Sequence, residues 1–191
     1  NLNLGMDYAS SGGFTESPTG SEQSYHDTAQ SGSGYHSDYT YERMDKTLEA
    51  YLAYNKDFAG GHHFDAMAGY SWQQFYYKST SKAYKLSDGA ILSESAPAGE
   101  LFLVSFFGRV NYTYDNRYMV TATLRRDGTS RFSNNKWGLF PSVALGWNIG
   151  NEEFLKGNDV LTTLKFRASW GQTGQQGVGG YYDTQATYYT N

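Results

Sequence analysis

Along residues 105–132 the side chains separate into two interleaved rows. Phe106, Val110, Tyr112 and Tyr114 fall on one side, and Ser105, Arg109, Asn111 and Thr113 on the other. Asp115-Asn116-Arg117 interrupts the rhythm. It then resumes, with Tyr118, Val120, Ala122 and Leu124 alternating with Met119, Thr121, Thr123 and Arg125. Successive side chains of an extended backbone point to opposite faces, so a period of two predicts a pair of two-faced strands joined by a tight turn.

The same rhythm predicts about five more strands. Leu2, Leu4, Met6 and Tyr8 form the first apolar row, and Leu48, Ala50, Leu52 and Tyr54 mark a second strand from about 43 to 55. Phe64, Ala66, Ala68, Tyr70 and Trp72 mark a third. Val143, Leu145, Trp147 and Ile149 belong to the sixth strand, and Leu164, Phe166, Ala168 and Trp170 to the seventh. Between them lie polar stretches rich in Ser, Gly, Asn and Asp, which read as long loops near 9–41, 73–100, 127–137 and 172–191. The other connections, "KDFAGG", 115–117 and "NEEFLKGNDV", read as short, and Asn151 is placed to cap one helical turn carrying Glu152 and Glu153.

Long and short connections therefore alternate. In an antiparallel up-and-down meander this puts every long loop at one end of the sheet and every short turn at the other, the arrangement of outer-membrane barrels. Tyr54, Tyr112, Tyr114 and Tyr118 fall near the short turns and Trp72 near the long loops, where interfacial aromatic girdles belong. Arg109, Arg125, Lys165 and Arg167 all lie on the row opposite the large apolar residues. At the midplane of a lipid-exposed face each would cost about 2–4 kcal/mol, so that row is expected to face water. Arg126 has the opposite parity, but it sits at the loop end of its strand, where a long side chain can snorkel. The competing expectation is a secreted or cell-surface β-sandwich that binds carbohydrate through exposed tyrosines, which periodicity alone fits equally well.

Composition narrows this further. The chain is polar on average, yet 17% of its residues are aromatic and 18 are Tyr, which a disordered chain would lack. A net charge of −4, spread without blocks, gives no electrostatic footprint for nucleic acid. Cys is absent, so disulfides and thiolate metal sites are excluded. No apolar run approaches the roughly 20 residues of a membrane-spanning helix, a limit that leaves membrane strands open. No nucleophile and base are spaced for catalysis, and no cofactor or metal site is expected. His62 and His63 are sequential in a strand and point apart; His26 and His36, with Asp27 and Asp38, make at most a weak metal site in a loop.

"SFFGRVNYTYDNRYMVTATLRRDGTSRF", "KWGLFPSVALGWNIGNEEFL" and "LKFRASWGQTG", in that order, resemble consecutive barrel strands of SusC/RagA-type TonB-dependent outer-membrane receptors of Bacteroidetes-like bacteria; "GHHFDAMAGYSWQ" resembles the preceding one. The resemblance covers about 48–174. It implies an all-β piece of a barrel of about 22 strands in the bacterial outer membrane, importing glycans or peptides with energy relayed by the TonB complex. It also implies contact with lipid, a SusD-like lipoprotein lid, and a plug domain that carries the TonB contact and lies outside this chain. With only about seven strands present, the expected sheet is open, its edges completed by other strands. Arg109, Asn111, Arg125, Lys165 and Arg167 become candidate lumen-facing residues. Tyr35, Tyr39, Tyr76, Tyr77, Tyr181 and Tyr182, read as loop residues, become candidates for ligand or lid contact.

Overall fold

The computed structural model describes residues 1–22, 32–155 and 163–174. Its strands are β1 (Leu2–Ser17), β2 (Tyr35–Phe58), β3 (His62–Lys85), β4 (Ile91–Ser95), β5 (Ala98–Tyr114), β6 (Tyr118–Thr129), β7 (Trp137–Asn148) and β8 (Lys165–Gly171). They form one sheet in the order β1-β2-β3-β5-β6-β7-β8, with β4 pairing β3 off that path, and the sheet is not closed. This is the expected antiparallel meander. A sandwich would need a second sheet over the first, and none exists among the described residues, so these residues do not form the alternative β-sandwich.

Several connections differ from the sequence expectation. Residues 9–17, 35–41 and 73–85, read as loop, are strand; β2 and β3 each run for 24 residues. The added lengths are rich in Ser, Thr, Tyr and Lys on both rows, so they carry no apolar stripe to announce them. An eighth short strand, β4, returns beside β3 with Ser81 opposite Ser95 and Lys82 opposite Glu94. It is separated from β5 by Ala96-Pro97, where proline has no amide hydrogen to continue the ladder. Strict alternation of loop length also fails. Residues 130–136 alone join β6 to β7, whereas 149–164 join β7 to β8 and include 3-10 turns at Ile149–Asn151 and Glu153–Leu155. The Asn151 side chain caps neither turn but donates to the Asn116 carbonyl at 3.0 Å.

The chain divides into two compact units. One contains residues 1–4, 47–73 and 102–191; the other contains 5–46 and 74–101. In the first, the register fixes two faces. Tyr112, Val120 and Leu145 stand side by side, as do Val110, Ala122, Val143 and Trp170. On the opposite face Asn111, Thr121, Ala144 and Ser169 share a row, and Arg109, Thr123, Ser142 and Gly171 the next. Among the described residues nothing covers the apolar face: Leu52 is 80% exposed and Leu124 and Leu145 53% each. Such a face is stable only against another apolar medium.

Two belts of rings bound that face. At one end Tyr114, Tyr118 and Trp147 stack in succession, with centroids 6.3 and 6.5 Å apart. At the other, Tyr70, Phe106 and Trp137 follow at 5.2 and 6.1 Å. Tyr118 and Gly128, the residue opposite Trp137, are ten positions apart on β6. At roughly 3.4 Å per residue and a tilt of about 45°, the belts lie about 25 Å apart, the height of a barrel's apolar band.

The turns beside the first belt are tied together. Asp115 and Asn116 both have positive φ, 50° and 53°, and Arg117 N bonds Tyr114 O at 2.9 Å, giving the mirror-image turn whose twist suits a tight hairpin. Asp115 N donates to Gly61 O at 2.7 Å, and Asn148 N donates to Arg117 O at 2.7 Å, so neighbouring turns are laced into a rim.

Candidate functional site

On the polar face of the first unit, β2, β3, β5 and β6 enclose a concavity of about 390 Å³. Its floor depends on Gly69. A Cβ built there would lie 2.5 Å from Phe107 Cζ and 2.8 Å from Tyr51 Cβ, so only glycine lets these two aromatic side chains close over β3. Glu49, Ser71 and Gln73 supply polar walls beside them. The fourth side is Arg125, held from three directions. Its Nε donates to Asp127 Oδ1 at 2.7 Å, its Nη2 donates to Ser105 Oγ at 3.0 Å, and its guanidinium lies 6.0 Å from the Phe107 ring centroid. The single cation of the cavity is thus already committed.

The remaining predicted polar-face residues have the expected parity but are not gathered at this cavity. Asn111 is the centre of a ladder across three strands, donating to Asp65 Oδ1 at 3.2 Å and accepting from Thr121 Oγ1 at 2.8 Å. Arg109, opposite Thr123, is exposed and has no ion-pair partner among the described residues. Lys165 and Arg167 stand on β8 opposite Asn148 and Gly146, also exposed. Arg126 shares the apolar face, and its guanidinium lies 5.0 Å over the Trp137 ring centroid in the upper belt, where its charge escapes the apolar band. His62 and His63 point apart as their sequence positions require. The former bonds Tyr112 Oη at 2.6 Å and the latter pairs with Asp57. Among the described residues no group of three or more His, Asp or Glu is arranged to hold a metal.

The tyrosine candidates need correction. Tyr35 and Tyr39 are in β2, and Tyr76 and Tyr77 in β3, so all four belong to strands and not to loops. The Tyr39 hydroxyl packs 2.7 Å from where a Cβ on Gly13 would sit, which makes it partly a packing residue. Tyr181 and Tyr182 lie outside the described residues. The residues missed as site candidates are Glu49, Tyr51, Ser71, Gln73 and Phe107. Gly69, alone inside an otherwise regular strand row, was the available signal, since an isolated strand glycine marks close approach of a neighbour.

Two further charged clusters occupy the chain. At the rim, the buried Glu152 carboxylate accepts from Tyr118 Oη at 2.6 Å, Trp147 Nε1 at 2.8 Å and Arg117 Nη1 at 3.1 Å. The Tyr118 hydrogen bond first, then that of Trp147, hold its pKa below the ordinary value. In the second unit His36 is stacked between Phe14 and Tyr84, with ring centroids 5.2 Å away on each side. Its Nδ1 bonds Glu16 at 2.8 Å and its Nε2 bonds Asp38 at 3.0 Å; these bonds, Glu16 first, raise its pKa. His26 and Asp27 lie outside the described residues.

A family model for the TonB dependent receptor-like β-barrel matches residues 1–191, the whole chain. The chain belongs to the TonB-dependent receptor β-barrel family. Curated relatives of this receptor barrel include TonB-dependent receptor SusC of Bacteroides thetaiotaomicron, 40% identical over 83% of this chain, and TonB-dependent receptor P3 of Formosa agariphila, 37% identical over 93%. The chain spans 16% and 19% of their respective lengths. Among solved structures, the RagAB peptide importer in its open-open state superposes with a TM-score of 0.85 over 100% of this chain and 22% of its own, at 23% identity. That likeness carries the fold. The receptor barrel is an outer-membrane one, so its apolar face is the lipid face and the belts are the two interfacial girdles.

Proposed function

We propose that this chain is barrel wall of a SusC/RagA-type importer that moves nutrients, glycan oligosaccharides or peptides, across the outer membrane with energy supplied through TonB. The observation that carries the proposal is the division of one sheet into two faces. An apolar face about 25 Å tall between aromatic girdles suits lipid, and an opposite face of hydroxyls, amides and paired charges suits a wet interior. Arg109, Asn111, Arg125, Lys165 and Arg167 then line the lumen. Arg125 and Asn111 are locked by hydrogen bonds and stiffen the wall; Arg109, Lys165 and Arg167 are exposed and meet the plug or the passing solute. The TonB complex acts through the plug, and a SusD-like lipoprotein closes the outer mouth. The role assigned is transport, without bond-making chemistry.

The test uses the full-length receptor as the only importer of its class in its own host. Uptake of a mixed oligosaccharide and peptide pool is compared between cells with and without TonB. Uptake that needs both receptor and TonB is expected. Uptake unchanged when either is removed overturns the proposal.

A further inference from the structure

Beyond a general lining role, the cavity floored by Tyr51 and Phe107 has the chemistry of a ligand site. We infer that it binds a neutral pyranose ring of a saccharide; this rests on the importer reading above. Four polar side chains face the cavity without a hydrogen-bond partner among the described residues: Glu49, Tyr51, Ser71 and Gln73. Between them they offer a carboxylate that only accepts, two hydroxyls that do both, and an amide with separate donor and acceptor ends. The complement of that set is a molecule with several groups that each donate and accept, which is a polyol. An anion is disfavoured, because Arg125, the one cation, already serves Asp127 and Ser105.

The apolar half of the site agrees. Tyr51 and Phe107 are brought together over Gly69 and both line the cavity, and aromatic surface of this kind attracts the polarised C–H groups on one side of a pyranose. A volume of about 390 Å³ lies at the small end of ligand sites, room for a short stretch of chain and not for a large folded cargo. A peptide also carries donors and acceptors. Its backbone amides place one donor each, whereas the free Glu49 carboxylate takes two donors at once from a vicinal diol; a basic peptide group paired with Glu49 is the alternative that the test separates.

The experiment uses the full-length detergent-solubilised receptor and two probes: a pool of neutral oligosaccharides from partial hydrolysis of mixed polysaccharides, and a tryptic digest of casein. Native mass spectrometry reads which class is retained. Adducts spaced by hexose or pentose masses are expected, and Glu49→Gln, Gln73→Leu and Phe107→Leu should each weaken them about tenfold or more. Glu49→Gln preserves shape, so its loss of binding reports the acceptor and not misfolding. Retention of peptides alone, or of neither class, overturns the inference. So does saccharide retention that all three variants leave unchanged. These outcomes are separate from the importer reading, which fails if uptake in cells is independent of the receptor or of TonB.

Discussion

Val143 and Ala144 are neighbours on β7 that the register puts on opposite faces: Val143 beside Ala122 and Trp170, Ala144 beside Thr121 and Ser169. Ala122 is four residues from Tyr118 in one girdle and six from Gly128 beneath the other, so Val143 lies near the middle of the apolar band. Val143→Arg places a charge against lipid at that depth and should cost about 2–4 kcal/mol. At 1.4 kcal/mol per tenfold, that is a drop of roughly 30-fold to 1,000-fold in the ratio of folded to unfolded receptor. Ala144→Arg puts the same charge on the wet face and should stay within about 1 kcal/mol of the parent. Leu139→Arg lies on the lipid face beside Arg126 in the upper girdle, where the cost falls to about 0–1 kcal/mol. The assay is guanidinium unfolding of full-length receptor refolded into phosphocholine vesicles, followed by heat-modifiable migration. The expected order of cost is Val143→Arg far above Leu139→Arg and Ala144→Arg. If Ala144→Arg costs as much as Val143→Arg, the two-face assignment is wrong; if Leu139→Arg does, the girdle depth is wrong.

Gly69→Val forces a Cβ to within 3 Å of Phe107 and Tyr51; a loss of about 1–3 kcal/mol in the same vesicle assay is expected, accompanied by weaker ligand retention. At Asn116, where φ is 53°, a β-branched residue is strained, so Asn116→Val should cost about 1–2 kcal/mol, while Asn116→Gly should be tolerated. Both bonds from His36 need an imidazolium, since a neutral ring donates from one nitrogen only. Its raised pKa means that the stabilisation is complete below about 6.5 and is lost as pH rises through the higher folded value. Hydrogen exchange of residues 12–17 and 35–40 should therefore speed up between pH 6 and pH 9 beyond the intrinsic rate, and His36→Gln should remove that excess. Glu152 has the opposite sign: its lowered pKa gives stability that is present above the ordinary carboxylate value and is lost as pH falls through the depressed one. Thermal unfolding followed by Trp fluorescence should show that acid sensitivity in the parent receptor and a flatter profile in Glu152→Gln.

The two faces were legible because lipid exposure writes a strong pattern. Only alternating rows can satisfy a wall with hydrocarbon on one side and water on the other, so Val110, Ala122, Val143 and Leu145 declared their face before any coordinates. The arginines were legible by the same logic, and Arg126 needed only a nearby Trp137 to make its parity harmless. The pattern stops informing where water touches both faces. Residues 35–41 and 73–85 keep strand geometry through backbone pairing while their side chains are free to be polar, so their composition is that of a loop.

The cavity was illegible for a different reason. Glu49 and Tyr51 come from β2, Ser71 and Gln73 from β3, and Phe107 and Arg125 from β5 and β6, and no spacing along the chain relates them. Alternation identifies which residues share the polar face, but a row of polar-face residues has no natural centre. Gly69 supplies the centre, because removing one Cβ from the polar row lets the Phe107 ring and the Tyr51 side chain from the strands on either side close on the gap. Arg125 then becomes decisive through what it is not free to do. Bound to Asp127 and Ser105, it strips the cavity of available positive charge and leaves the unpaired acceptor Glu49 to select hydroxyl donors. Selectivity in this wall thus follows from which charges the strands satisfy internally, a property that composition cannot carry and that pairing in three dimensions determines.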